Sequence, residues 1–589
     1  MIDLVDHAVM VGGLDFWRYR PADEAASFVA EPRLRDRLAP RFAEANRHLA
    51  VEGCFRLPPL GDDKEAMQAS GIEVLELPRW FVCQNPGCRA LVRADGLEQK
   101  GSRYRHGCIR PRGSESVPVR FVATCRRGHV EEFPWVYFAH RNQAVLCPAP
   151  SLKLLEGATG DFSEIVVVCA CGARERLSTA LVPQSLPRCG GHRPWLGFQG
   201  GEDCTEHLRL LVRSASNAYF GQEVSALSIP ERGRKLEAAV RQVWDILQVA
   251  DATSLQAFRN IPKVKEALGS ASDAEVLDTI GHIRLGGPVA REPLRTAEFR
   301  QLISVGSEAP GELPPTADDF FAREVVPDGG PIPNIARLVL VPKLREVRVQ
   351  IGFTRIEPVM PDLEGEFDLA VQSAPLALTQ NWLPATEVRG EGVFLQLDEK
   401  AIRDWEQRPE VQERENELRA GYRDWLATLT GDKAPPFPGA RFYLLHSLAH
   451  LLLSAISLEC GYAASAIRER IYCAPADAAT PMAAILLSTG SPGTEGTLGG
   501  LVEQGRNLRR HLRRALSLGE LCSNDPVCAG HSPQKDYSER FLEGAACHGC
   551  LFVAESSCER FNRYLDRSLV VPTIRHPVAL AFFDPRGIV

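Results

Sequence analysis

Seventeen cysteines fall in two groups along this 589-residue chain, ten between residues 54 and 204 and seven between 460 and 558, while residues 205–459 hold none. Cysteines serving only as small core residues would be scattered. Their grouping points instead to thiolates gathered around metal ions or to disulfides. The N-terminal stretch MIDLVDHAVMVGGLDFW carries no basic region and no cleavage site, so the expected compartment is the cytoplasm, where thiols stay reduced. The most apolar run, residues 444–456, reads as too short and too interrupted by His and Ser to span a bilayer. Metal sites are therefore the expectation, and zinc suits thiolate and imidazole donors.

Spacing suggests two to three structural Zn2+ sites. In the first, Cys83-x4-Cys88 straddles Pro86 and Gly87, and Cys108 and Cys125 complete four thiolates, with His129 or His106 able to replace one. In the second, Cys169-x-Cys171 follows the apolar run Ile165–Val168 and joins Cys189 and Cys204, with His192 as a substitute. In the third, Cys547-x2-Cys550-x7-Cys558 forms a knuckle, with Cys522 and Cys528 nearby.

The rest of the chain predicts a multi-domain α+β protein, with zinc-ribbon-like N-terminal insertions and a mixed α/β C-terminal zinc-binding module. Residues 1–78 mix strand and helix signals, and residues 79–230 hold the first two cysteine clusters. Residues 231–431 begin helical, then alternate apolar strand-like runs such as ARLVLVPKLREVRVQIGFTRI and GVFLQL, and end in a charged helix at 409–429. DKAPPFPG leads into a module over 440–589, where RFYLLHSLAHLLLSAISLECGY reads as a buried helix. An apolar strand at Ile485–Leu487 follows, then a Gly-rich turn and an Arg-rich helix.

Within this module, His446 and His450 share one helix face, but Ser447 stands where a zinc peptidase has its Glu base, so both read as buried polar anchors. The turn STGSPGTEGTLGG, Ser488–Gly500, lacks the Gly-Lys-Ser/Thr ending of a P-loop. It predicts a helix N-terminus facing a phosphate or a partner carboxylate. That helix carries Arg506, Arg509, Arg510, Arg513 and Arg514, either a solvated face or a DNA-phosphate surface. The net charge of −7 argues against general nucleic-acid binding, yet residues 79–130 alone carry eleven Lys and Arg against three Asp and Glu. Trp80, Phe81, Phe133, Trp135, Tyr137 and Trp195 flank the clusters and are expected to fill small cores rather than stack bases.

The motifs HSLAHLLLSAISLECGY, ERIY, GTLGGLV, DPVC, CHGC and SSCERFNRYLDR resemble the zinc-binding C-terminal module of Mrf-type DNA helicases. Together with VPVRFVATCRRGHVEEFPW, CGGHRPWLG and LVRSASNAYFGQEVSALSIP, they are similar still more closely to the DrmB family of the DISARM anti-phage defence system. The resemblance implies a non-motor subunit that partners a separate DrmA-like helicase and engages single-stranded or overhang DNA. It supplies no catalytic residue, and it implies a further stretch ahead of IDLVDHAVMVGGLDFW. A metal-dependent nuclease is an alternative, though neither a carboxylate cluster nor an activated nucleophile is recognisable. An assembly scaffold without DNA contact is a second.

Overall fold

The computed structural model describes the chain except residues 5, 46, 62–69, 110–112, 144–146, 198–199, 231, 270, 285–291, 368–373, 430–434, 490–499, 534–539 and 588–589. Helices and strands are mixed throughout, as an α+β chain requires. The apolar runs of the middle region become two long antiparallel strands, Ile335–Thr354 and Leu383–Leu397. Pro342 lies within the first of them, at the register shift between Val341 and Leu344, where the ladder is already interrupted. These strands form the centre of a seven-stranded sheet. Phe220–Leu227 pairs outside the first, and Met482–Thr489 and then Ile467–Ala474 follow the second. One sheet thus takes strands from both sides of residue 440.

Near the N-terminus the strands are short. Eight antiparallel strands of three to five residues make a second sheet, in the order Arg174–Arg176, Val166–Cys169, Leu152–Leu155, Ala90–Arg93, Trp80–Cys83, Ser114–Pro118, Arg103–His106 and Glu98–Lys100. A three-stranded sheet, Val130–Glu132, Phe121–Thr124 and Arg209–Val212, packs beside it. Phe81, Phe133, Trp135 and Trp195 are buried in these layers, so the aromatics next to the cysteines are core; Tyr137 alone of that group is exposed. Residues 232–284 contribute five helices whose core is Val240, Val243, Leu247, Leu255, Val264 and Ile280.

The apolar helix of the C-terminal module runs over Gly439–Cys460 and ends at Gly461, whose φ of 73° is the left-handed C-cap conformation that glycine adopts without strain. Its 22 residues equal the length of the stretch read as a helix from the sequence, shifted two positions toward the N-terminus. By length and composition Gly439–Glu459 would cross a membrane, but most of it is buried within the protein. Leu444, Leu445, Leu448, Leu451 and Leu452 pack with Ile485 and Leu487 of the central sheet, with Leu508, Leu512 and Leu516, and with Leu565 and Val571. The Arg-rich segment is two helices, Gly500–Arg506 and Leu508–Glu520. Gly505 lets the first lie directly on the sheet, since a Cβ there would meet Leu340 Cδ2 at 2.5 Å and Val393 Cγ2 at 2.8 Å. Truncation at the centre of this core, Leu448→Ala, is expected to cost about 2–5 kcal/mol through lost transfer energy and a cavity. Denaturant unfolding followed by hydrogen exchange in Gly439–Cys460 checks it, and protection unchanged from the parent chain would contradict it.

Candidate metal centres

Three Cys3His sets lie in the N-terminal layers, with the four donor atoms of each within 4.8 Å of one another. Cys83 ends a strand, Cys88 sits in the turn that follows, and His106 and Cys108 close the far hairpin. Cys83 Sγ is 3.6 Å from Cys108 Sγ, and Cys88 Sγ is 3.4 Å from His106 Nδ1. In the second set Cys125 and His129 bracket the turn between Phe121–Thr124 and Val130–Glu132, and Cys189 and Cys204 arrive from loops. His129 Nδ1 lies 3.3 Å from Cys125 Sγ and 3.5 Å from Cys189 Sγ, while its Nε2 is 3.0 Å from Glu202 Oε1. A carboxylate behind an imidazole is the outer partner that orients a metal-binding histidine. The third set is His140, Cys147, Cys169 and Cys171. There His140 Nδ1 donates to Val136 O at 2.7 Å, which turns Nε2 toward Cys171 Sγ at 3.3 Å.

Cys125 therefore does not join Cys83, Cys88 and Cys108, as chain order suggested; His106 takes that place. Nor do Cys189 and Cys204 join Cys169 and Cys171, which instead meet His140 and Cys147. His192 belongs to none of the sets. Grouping by spacing used eight cysteines as two four-thiolate sites and left Cys147 over. The usable signal was arithmetic: nine cysteines from 83 to 204 cannot fill whole sites of four, so three sites need three of the four histidines in that span.

In the C-terminal module Cys522, Cys528, Cys547 and Cys550 converge, with sulfur separations of 3.4 Å (Cys522–Cys547), 3.7 Å (Cys528–Cys550) and 3.8 Å (Cys547–Cys550). Four thiolates about 2.3 Å from one tetrahedral zinc stand about 3.8 Å apart, so the spacing fits that ion and is far too long for disulfides. Backbone N–H groups of Asn524 and Gly549 donate to Cys522 and Cys547. The buried Arg567 ties the knuckle to the core, donating to Asp525 Oδ1 and to Gly519 O, both at 2.6 Å. Cys558, predicted to close the Cys547/Cys550 knuckle, is elsewhere: His446 Nε2 stands 3.2 Å from its sulfur.

Each set holds a thiol drawn below its ordinary range. A hydrogen bond from Cys189 brings Cys125 down to about 4 against the opposing effect of burial, with His129 adding to it. Burial pushes Cys169 up, but hydrogen bonds from the Cys171 backbone and thiol outweigh it and leave about 6. Burial likewise opposes the fall of Cys547 to about 7, where Asn524 and Cys522 prevail. Cys108 is lowered too: burial pushes it up, but hydrogen bonds from Asn85, Cys83 and Cys88 together prevail. Thiolate is the form that binds metal.

The basic stretches are less free than composition implied. Arg79 and Arg93 pair with Asp95, Arg89 and Arg120 with Glu156, Arg103 with Asp6 and Glu115, Arg126 with Glu357, and Arg127 with Glu202. In the Arg-rich helices, Arg506 pairs with Glu308 at 2.7 Å, and Arg509 donates to the carbonyls of Gly329, Gly330 and Pro331. Arg510 and Arg514 share Glu459 but remain exposed, as does Arg513. The Gly-rich turn lies largely outside the described residues. The helix after it begins on a carboxylate: Glu391, buried, accepts from Leu501 N at 2.7 Å and Val502 N at 3.3 Å.

Residues 448–551 match the MrfA Zn-binding domain, and residues 1–220 match a domain of unknown function (DUF8724). With that module and these Cys/His sets, the donors fit structural Zn2+. Among solved structures, the DUF1998 helicase MrfA bound to DNA is 12% identical over 38% of this chain and 24% of its own, with a TM-score of 0.17, a likeness too slight to carry weight. The DISARM protein DrmB of Bacillus paralicheniformis is 32% identical over 527 residues, covering 85% of this chain and 89% of that protein. Kinship on that scale, over most of both chains, shows that the chain belongs to the DrmB family of DISARM proteins.

Proposed function

We propose that this chain is the non-motor subunit of a cytoplasmic anti-phage complex, which partners a DrmA-like helicase and helps it hold DNA. Membership of the DrmB family is the observation that carries this reading. The zinc-binding module supports it, since in Mrf-type helicases a module of this kind is fused to the motor. Most of the apolar helix is buried in this chain, so docking falls to the module's outer surface, where Leu458 near the end of that helix and Leu518, Leu521 and Val527 are exposed. Co-expression with the helicase is expected to give one size-exclusion peak containing both chains; two separate peaks at micromolar concentration would count against the partnership.

The zinc ligands of this reading are Cys83, Cys88, His106 and Cys108; Cys125, His129, Cys189 and Cys204; His140, Cys147, Cys169 and Cys171; and Cys522, Cys528, Cys547 and Cys550. Elemental analysis of the double variant Cys83→Ser/Cys125→Ser discriminates this grouping from the one read by chain order. Loss of two equivalents of zinc is expected, because the substitutions fall in two sets. A loss of one would put both cysteines at a single ion. Cys550→Ser is expected to unfold the C-terminal module, because a structural zinc contributes on the order of 10 kcal/mol in small domains.

For DNA, Arg510, Arg513 and Arg514 are the contact surface, because they are exposed while Arg506 and Arg509 are partly covered. Exposed ion pairs such as those with Glu459 are weak and exchange readily for phosphate. Replacing the three with Ala in the helicase complex is expected to lower the slope of log affinity against log salt by about 2–3, each neutralised phosphate contributing about 0.7 on single strands and about 0.9 on duplex. An unchanged slope on single-stranded and overhang DNA, with zinc and assembly intact, would make this a plain solvated face.

A further inference from the structure

Cys558 stands apart from the four cysteine-rich sets, in company that the family's zinc-binding module does not explain. His446 and His450, one turn apart on the apolar helix, face Glu469 on the edge strand Ile467–Ala474 and Cys558 on the C-terminal loop. All four are buried, and their donor atoms lie within 4.8 Å of one another. His446 Nε2 is 2.9 Å from Glu469 Oε1 and 3.2 Å from Cys558 Sγ; His450 Nε2 is 3.4 Å from Glu469 Oε1.

The outer partners decide what these atoms are. His446 Nδ1 faces Tyr564 O at 3.2 Å, and His450 Nδ1 faces Leu551 O at 2.8 Å. A carbonyl only accepts, so each Nδ1 carries the proton and each Nε2 of a neutral ring offers its lone pair inward. A carboxylate, two ring nitrogens and a sulfur then converge with almost no hydrogen among them. Glu469 Oε2 is buried with no hydrogen-bond partner among the described residues. Cys558 Sγ accepts from the backbone N–H of Arg560 at 3.3 Å and of Asn562 at 3.2 Å. The first is the same i+2 contact that Cys189, Cys522 and Cys547 receive from Gly191, Asn524 and Gly549. Phe561, Asn562 and Tyr564 hold φ of 52°, 58° and 59°, a costly left-handed course in the loop that carries Cys558.

We infer that His446, His450, Glu469 and Cys558 form a fifth metal site, a closed structural centre for Zn2+. Two imidazoles, one thiolate and one carboxylate complete a tetrahedral set, and mixed N, S and O donors favour zinc over hard cations. Ligand separations of about 3.3–3.6 Å follow from bonds of about 2.0–2.3 Å, within a few tenths of the distances here. Charge fits as well: a dication with one thiolate and one carboxylate is neutral, which a buried site needs. The ion would staple the apolar helix, the sheet edge and the C-terminal loop, three segments that the Cys522–Cys550 set does not join directly.

Metal content of the full chain tests this. The protein as isolated is expected to hold one zinc more than its four cysteine-rich sets, and Glu469→Gln and Cys558→Ser are each expected to lose one equivalent while those sets keep theirs. Zinc content unchanged in both soluble variants would overturn the inference and leave a hydrogen-bonded polar cluster. Should the variants fail to fold, crystals of the unaltered chain measured on both sides of the zinc absorption edge decide it. An anomalous peak between His446, His450, Glu469 and Cys558 supports the site, and its absence there beside peaks at the other sets overturns it.

Discussion

Convergence of sulfur and imidazole is what the N-terminal half depends on. No strand of its eight-stranded sheet exceeds five residues, and strands that short bury too little side chain to hold register on their own. The Cys83 set joins the Trp80–Cys83/Ala90–Arg93 turn to the hairpin ending at His106. The His140 set joins the helix Trp135–His140 to the strand ending at Cys169. Each closure fixes neighbouring strands at their ends, where fraying would begin. The hydrophobic cluster between, around Phe121, Phe133, Trp135 and Phe138, then packs onto a frame already set.

The C-terminal half works the other way. Strands of 20 and 15 residues and a 22-residue helix bury a large continuous core, and the Cys522–Cys550 set sits at its margin. Buried ion pairs bind the pieces together. Arg470 reaches Glu298 at 2.7 Å, linking the edge strand to the helix Leu294–Ile303, and Arg414 reaches Asp566 at 2.8 Å. Removing one partner of such a pair leaves an uncompensated buried charge, so these contacts fix where segments meet more than they add net stability.

Much of this was legible in the sequence. The apolar helix, the charged helix now seen at Pro409–Thr428 and the strand nature of residues 335–354 followed from periodicity and β-branched content. The count and clustering of cysteines announced metal. Which cysteine meets which was not legible, because ligand sets are made by folding: Cys125 and Cys189 are 64 positions apart, and Cys147 has no cysteine close by in the chain. The histidines of the apolar helix are the buried polar anchors the sequence suggested, each Nδ1 on a backbone carbonyl, but their other neighbours, Glu469 and Cys558, lie 19 or more residues away and were not legible. The excess of arginine at 79–130 is likewise offset by residues that only folding brings near. Besides Asp95 and Glu115 within the stretch, its counter-charges Asp6, Glu156, Glu202 and Glu357 come from elsewhere in the chain.

The strand, Gly-rich turn and helix after residue 482 show how a phosphate-site pattern can be put to structural use. A helix N-terminus presents unpaired N–H groups and a partial positive charge, and it binds whatever anion the fold places there. Here that anion is the chain's own Glu391, set on the neighbouring central strand and almost wholly buried. A phosphate would have to displace a carboxylate already desolvated and hydrogen-bonded to Leu501 and Val502, against the cost of leaving Glu391 charged and unpaired. The local pattern that in a motor domain would cradle a nucleotide serves in this chain to seat a helix on a sheet. Its basic neighbour, Leu508–Glu520, is thereby held with Arg510, Arg513 and Arg514 outward.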